Sequence, residues 1–300
     1  MVKALWGLLF LPLIGLSQSG SFPPQAGIIG SDAMHADSSV FRDWAVTCEV
    51  ERGFRRINFP DSGVALTGEA SFALGKADAN GVVSLGDSGV ATLTFTEPFF
   101  DGPGPDFAVF ENGFKSSGQA FLELAFVEVS SNGVDFIRFP AISEVQTDTQ
   151  IGFANVMDAS YLHNLAGKYI SRHGVPFDLA ELPDTSVLNK NAVTHVRVVD
   201  VIGSIDPNIG SYDSQGTLIN DPWPTTFEQC GFDLDAIGII NSPLPPLSIQ
   251  DPWIVNAHVH YNWFDLMGTP IDPENGSLPS GIYLRCSSVN AYDCEKVFIP

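Results

Sequence analysis

Glycine and proline interrupt this chain too often for long helices to form. There are 28 Gly and 21 Pro in 300 residues. Within a helix Gly costs about 1 kcal/mol and Pro about 3 kcal/mol relative to Ala, whereas both suit the turns between strands. The apolar residues between these breaks alternate with small polar ones, which is the period of a strand with one buried face. Residues 82–85 and 89–95 alternate about a Gly86-Asp-Ser turn, 121–130 form the longest run, and Ser131-Asn-Gly133 turns that run into 134–139. Residues 193–202 and 232–240 read as two further strands. One segment departs from this pattern. In residues 38–46, Val40, Phe41 and Trp44 recur at helical spacing behind Asp37 or Ser38 as a cap, which predicts a short helix. Strands of irregular length, long loops and no alternation of strand with helix predict an all-β, antiparallel, jelly-roll-like sandwich.

The two ends read differently from the middle. Met1-Val-Lys3 followed by an apolar run to Leu16 has the form of a secretory signal peptide, with cleavage expected after Ser17. That run is too short to span a membrane, and no later segment approaches the roughly 20 apolar residues a span needs. Near the other end stand Asp265-Leu-Met-Gly268, Gly281-Ile-Tyr283 and Lys296-Val-Phe-Ile299, within short alternating strands. These pieces resemble the C-terminal sorting domain of proteins exported by the type IX secretion system of Bacteroidetes. The resemblance implies the secretion machinery as a partner and an extracellular or outer-surface location. The expected division is a signal peptide at 1–17, an irregular lead-in at 18–36, a sandwich at 37–241, a Pro-rich linker at 242–250 and a small β domain at 251–300.

Two further resemblances fall within the sandwich. Glu128-Val-Ser-Ser-Asn-Gly-Val-Asp-Phe136 is similar to a hairpin of galactose-binding-like modules, which implies that type of sandwich. The strings DGPGPDFAVFENGF (101–114), ELAFVEVSS (123–131) and GFDLDAI (231–237) resemble a family of secreted Bacteroidetes proteins. That likeness implies a compartment and a domain extent, and no mechanism.

A formal net charge of −21, with only 14 Lys and Arg, excludes a nucleic-acid surface, which needs clustered cations. Four Cys in an exported chain are compatible with two disulfides. The economical pairing is Cys48 with Cys230 and Cys286 with Cys294.

Hard oxygen ligands are what calcium selects. Asp106, Glu111, Asn112, Asp200, Asp233 and Asp235 form the densest polar group, with Asp233 and Asp235 two apart and expected on one face of a strand. A structural Ca2+ on a subset of them is weighed against ordinary turn-capping; no organic cofactor is implied. The loop at 204–226 places Tyr212 and Trp223 beside Asp213 and Asp221. Aromatic faces next to hydrogen-bonding groups suit a sugar or another amphipathic ligand, although Trp223 between two prolines can equally pin the loop. His163, His173 and His195 lack the setting of a nucleophilic triad. The leading reading is a non-catalytic surface protein binding a glycan or a scavenged nutrient. Two alternatives stand beside it: a glycoside hydrolase pairing Glu111 with Asp235 or Glu123 with Asp200, and an adhesion or structural surface protein.

Overall fold

The structure is a computed structural model describing residues 20–116 and 119–243, together with the backbone of four strands between 261 and 299. The expected signal peptide, most of the linker, His258, His260 and the 265–268 motif lie outside the described residues. The chain divides into two compact units, Met1–Leu247 and Ser248–Pro300.

The first unit is an all-β, antiparallel sandwich. One sheet runs β1 (Met34–His35), β13 (His173–Phe177), β6 (Phe107–Glu111), β15 (Asp233–Ile239), β2 (Asp43–Trp44), with β4 (Val83–Ser84) also pairing β15. The other runs β10 (Ile137–Arg138), β9 (Ala125–Ser130), β14 (Val193–Asp200), β5 (Val90–Phe99), β3 (Thr47–Glu51). Two pairs of two- or three-residue strands and 3-10 turns decorate the loops: β7 (Phe114–Ser116) pairs β8 (Gln119–Phe121), and β11 (Ile142–Ser143) pairs β12 (Leu162–His163). Phe107 and Val109 of β6, Val127 and Val129 of β9, and Val196 and Val198 of β14 all enter one buried core. The strand period of two puts these alternate residues between the sheets. On the outer face of the second sheet, Glu128 takes Arg138 and Arg197 as partners.

Three sequence expectations give way to tertiary structure. Residues 38–46 form no helix; they hold β2 and a turn. The spacing of Phe41 and Trp44 serves instead an aromatic cluster with Phe110, with ring centroids 4.9 to 5.6 Å apart. The single strand expected at 121–130 is broken into β8 and β9, and residues 122–124 between them are irregular. Here the backbone bonds elsewhere: Leu124 donates to Asp221 and accepts from Val201. The expected Cys48–Cys230 disulfide is also absent, since both are free thiols. Cys48 lies on β3 opposite Leu93, whereas Cys230 sits in the loop before β15 with its carbonyl accepting from Gly86. Burial pushes both thiols up to about 12.

The second unit contains an antiparallel sheet ordered β17 (Pro270–Ile271), β16 (Tyr261–Phe264), β18 (Gly281–Ser287), β19 (Cys294–Ile299). Its register sets Cys286 directly opposite Cys294. No helix among the described residues is long and apolar enough to cross a membrane.

Candidate functional site

At one end of the sandwich the inward-facing positions change from apolar to acidic. Along β6 the inward series is Phe107, Val109, Glu111, and along β14 it is Val196, Val198, Asp200. Strand pairing brings the end of β6 against the start of β15, and the end of β14 against the start of β9. Glu111, Glu123, Asp200, Asp221 and Asp233 therefore gather in one region, and all are buried.

Most of these acids are held by protein donors. Asp200 accepts from the amides of Ser88 at 3.0 Å and Phe232 at 2.7 Å. Asp221 accepts from the Leu124 amide at 3.0 Å. Asp233 accepts from Ser84 Oγ, from Asn112 Nδ2 at 3.1 Å and from Gln229 Nε2 at 2.6 Å. Glu111 accepts from the Gly113 amide at 2.6 Å through one oxygen, while its other oxygen is buried without a partner. Glu123 differs from all of these: no protein donor among the described residues meets its carboxylate, although the residue is only 7% exposed.

Burial pushes Glu111, Glu123, Asp200 and Asp221 well above the usual carboxylate range. For Glu123 the next causes are the charges of Asp233 and Glu111, which raise it further. Asp233 is raised by burial against the opposing effect of its three hydrogen bonds. Protonation relieves the desolvation of a buried carboxylate that lacks a cation.

Glu123 and Asp233 line a cleft of about 300 Å³. Its walls include two aromatic pairs. Phe114 of β7 stacks on Phe121 of β8 at 5.2 Å, following their direct pairing across that hairpin. Phe153 meets Phe227 edge to face at 5.6 Å. Phe114, Phe153 and Phe227 are 57%, 50% and 56% exposed, so burial does not explain their presence. Asn112, Thr225 and Gln229 supply neutral polar atoms. A larger groove of about 450 Å³ lies near β8, but its acids are already engaged. Glu144 accepts from Ser21, and Asp158 caps a turn at Ser160.

The structure separates the six calcium candidates. Asn112 and Asp233 meet at the cleft, the charge of Asp233 acts on Glu111, and Asp200 feels the charges of Asp87 and Asp221. Asp235 does not share the bonding partners of Asp233. A register shift between Leu234 and Ala236 breaks the alternation; the backbone of Asp78 and Ala79 lies near Asp235, whose Oδ2 is buried without a hydrogen-bond partner. Burial still raises it to about 6. Asp106 stands apart, with Asp101 and Asp178, in a group whose oxygens lie within 4.8 Å of one another.

The four residues expected to contact a ligand spend their polar atoms on the fold. Asp213 accepts from the amides of Ser143, Gln215 and Thr217, and Asp221 from Leu124. Trp223 donates its indole N–H to Asp87 at 3.1 Å and its amide to Ile151. Tyr212 is half exposed, with its hydroxyl donating to the Pro207 carbonyl. Sequence reasoning missed Phe114, Phe121 and Phe153 as a set, since phenylalanines on separate segments carry no spacing signal. Each of the three motif strings contributes to the cleft: Asn112 and Phe114 from the first, Glu123 from the second and Asp233 from the third. No family model, curated protein or solved structure matches the chain.

Proposed function

We propose that this is a secreted or cell-surface ligand-binding protein, without catalysis of its own, that takes a small amphipathic ligand such as a glycan unit or a scavenged nutrient. The observation that carries this reading is the cleft with exposed phenylalanine walls and the partnerless carboxylate of Glu123. Exposed rings beside hydrogen-bonding groups are what an amphipathic ligand requires. Export by the type IX route belongs to the same proposal and rests on the terminal motifs. Its test is a deletion of residues 251–300, with the truncated protein expected to be retained inside the producing cell.

The binding reading is tested by a thermal-shift screen of glycans and small nutrients on the full chain. At least one ligand raises Tm, and Phe114→Ala and Phe227→Ala weaken its binding by about tenfold. A screen in which nothing binds argues against the proposal.

A second reading, glycoside hydrolysis, draws on one observation: Glu123 and Asp233 line the same cleft, and both are shifted toward the protonated form. A general acid needs such a shift. Three protein donors occupy Asp233, which leaves it poorly placed as a nucleophile. Hydrolysis of aryl glycosides that disappears in Glu123→Gln would establish this reading over the first.

A structural calcium is proposed at Asp101, Asp106 and Asp178. Asp106 already accepts from Gly102, Asn241 and Leu179, so further oxygens must come from water or backbone to reach the six to eight calcium takes. Chelation lowers Tm on this proposal and leaves it unchanged otherwise.

A further inference from the structure

The cleft also restricts the charge of its occupant, a point that rests on the binding reading above. Glu123 lines the cleft, is only 7% exposed and meets no protein donor among the described residues, and the charges acting on it come from Asp233, Glu111, Asp221 and Asp200. A buried carboxylate without a partner is expensive and is ordinarily matched by a cation. Among the described residues, no Lys, Arg or His lines the cleft. Arg52 acts on Asp233 but spends its donors on the carbonyls of Thr67, Gly68 and Ser84.

The walls favour the same kind of occupant. Phe114, Phe121, Phe153 and Phe227 line it with rings that carry no hydroxyl or indole N–H. Such rings attract positive charge through the ring quadrupole and offer a polyhydroxylated sugar no hydrogen bonds. A bare metal ion is a poor fit. Among the described residues, the carboxylate group that converges within 4.8 Å is the one around Asp106, and Glu111, Glu123 and Asp233 do not form another. A volume of about 300 Å³ suits an ion with several carbon substituents.

We propose that the cleft selects a small organic ammonium ion, its charged head against Glu123 and its apolar substituents against the phenylalanine rings. The test is isothermal titration of the full chain at pH 7.5 with two matched pairs: choline against its neutral isostere 3,3-dimethylbutan-1-ol, and benzylammonium against benzyl alcohol. In at least one pair the cation binds at least about tenfold more tightly than its neutral partner. Glu123→Gln removes that preference, and Phe227→Ala weakens the cation through a ring that is already exposed. Added calcium does not displace the cation.

Equal or tighter binding of both alcohols overturns the proposal, as does displacement by calcium. A neutral oligosaccharide that binds while neither ammonium ion does overturns the charge assignment and leaves the binding reading intact. If neither ions nor sugars bind, both fall. Should Glu123→Gln fail to fold, the wild-type preference within each pair and the Phe227→Ala variant still decide the matter.

Discussion

A buried carboxylate can secure a fold or serve a ligand, and its hydrogen bonds tell the two apart. Asp106 belongs to the first kind. It is fully buried, with Gly102, Leu179 and Asn241 all donating to it. Asp106→Ala orphans those donors and is expected to destabilise by about 3 kcal/mol, read by urea denaturation. Glu123 belongs to the second kind. Its folded-state pKa is raised above the unfolded value, so the stability it contributes is present at low pH and lost as pH rises. Glu123→Gln is therefore expected to raise Tm at pH 8, by about 1–3 kcal/mol in stability, with the gain vanishing near pH 4. A variant that is equally destabilised at both pH values would contradict that account. Nothing in the residue types distinguishes Asp106 from Glu123. Likewise the side chains of Asp213 and Asp221 looked available to a ligand until their amide partners were located.

Between elements, the break separating β8 from β9 sets the position of Glu123. Gly167 lies against this break with φ +82°, and a Cβ there would stand 1.8 Å from the Glu123 carbonyl oxygen. Gly167→Ala meets both a strained backbone and a fixed backbone atom. It is expected to destabilise by about 3 kcal/mol or more and to weaken ligand binding as well, both measurable on the purified variant. A surface glycine such as Gly216 has nothing within 4 Å of its would-be Cβ and provides the control for crowding. In the second unit, the opposed register of Cys286 and Cys294 places their backbones as a cross-strand pair. Such a pair is compatible with the Cα separation of a disulfide. Intact-mass spectrometry under non-reducing conditions is expected to show the loss of both thiol hydrogens there, while Cys48 and Cys230 react with an alkylating agent once the chain is unfolded. Alternation predicted strands 82–85, 89–95 and 193–202 to within a few residues of β4, β5 and β14. It failed at 121–130 and 38–46, where contacts distant in sequence decided the backbone.

For the whole molecule, the acidic composition and the acidic interior act in the same direction. Glu111, Glu123, Asp200 and Asp221 are raised by burial, and Asp235 is raised from 3.8 to about 6. The folded state then binds more protons than the unfolded chain above their ordinary range, so stability falls as pH rises. For Asp235 the loss is confined to the interval between 3.8 and about 6, and for the others it continues higher. The net charge of −21 adds self-repulsion of the same sign, which salt screens. Tm is expected to decline from pH 4.5 to pH 8 at fixed ionic strength, and to recover partly at high salt. A bound ammonium ion would lessen the decline. A flat or rising profile without ligand would show that the interior acids are matched by charges other than those described.

The sequence by itself determined the fold class, because turn residues and a period of two are local signals that act through each residue's own backbone preferences. It also determined the acidic character of the chain and the residue types from which a site could be built. Only the tertiary structure decided which of those residues meet. Asn112, Phe114, Glu123, Phe153, Phe227 and Asp233 come from separate segments and share no spacing. Their juxtaposition follows from strand order, from the irregular step after β8 and from the bonds that occupy Asp106, Asp200 and Asp221. A carboxylate's burial and its supply of donors depend on the packed surroundings, so no reading of Glu123 along the chain could have shown that it would line the cleft without a protein donor.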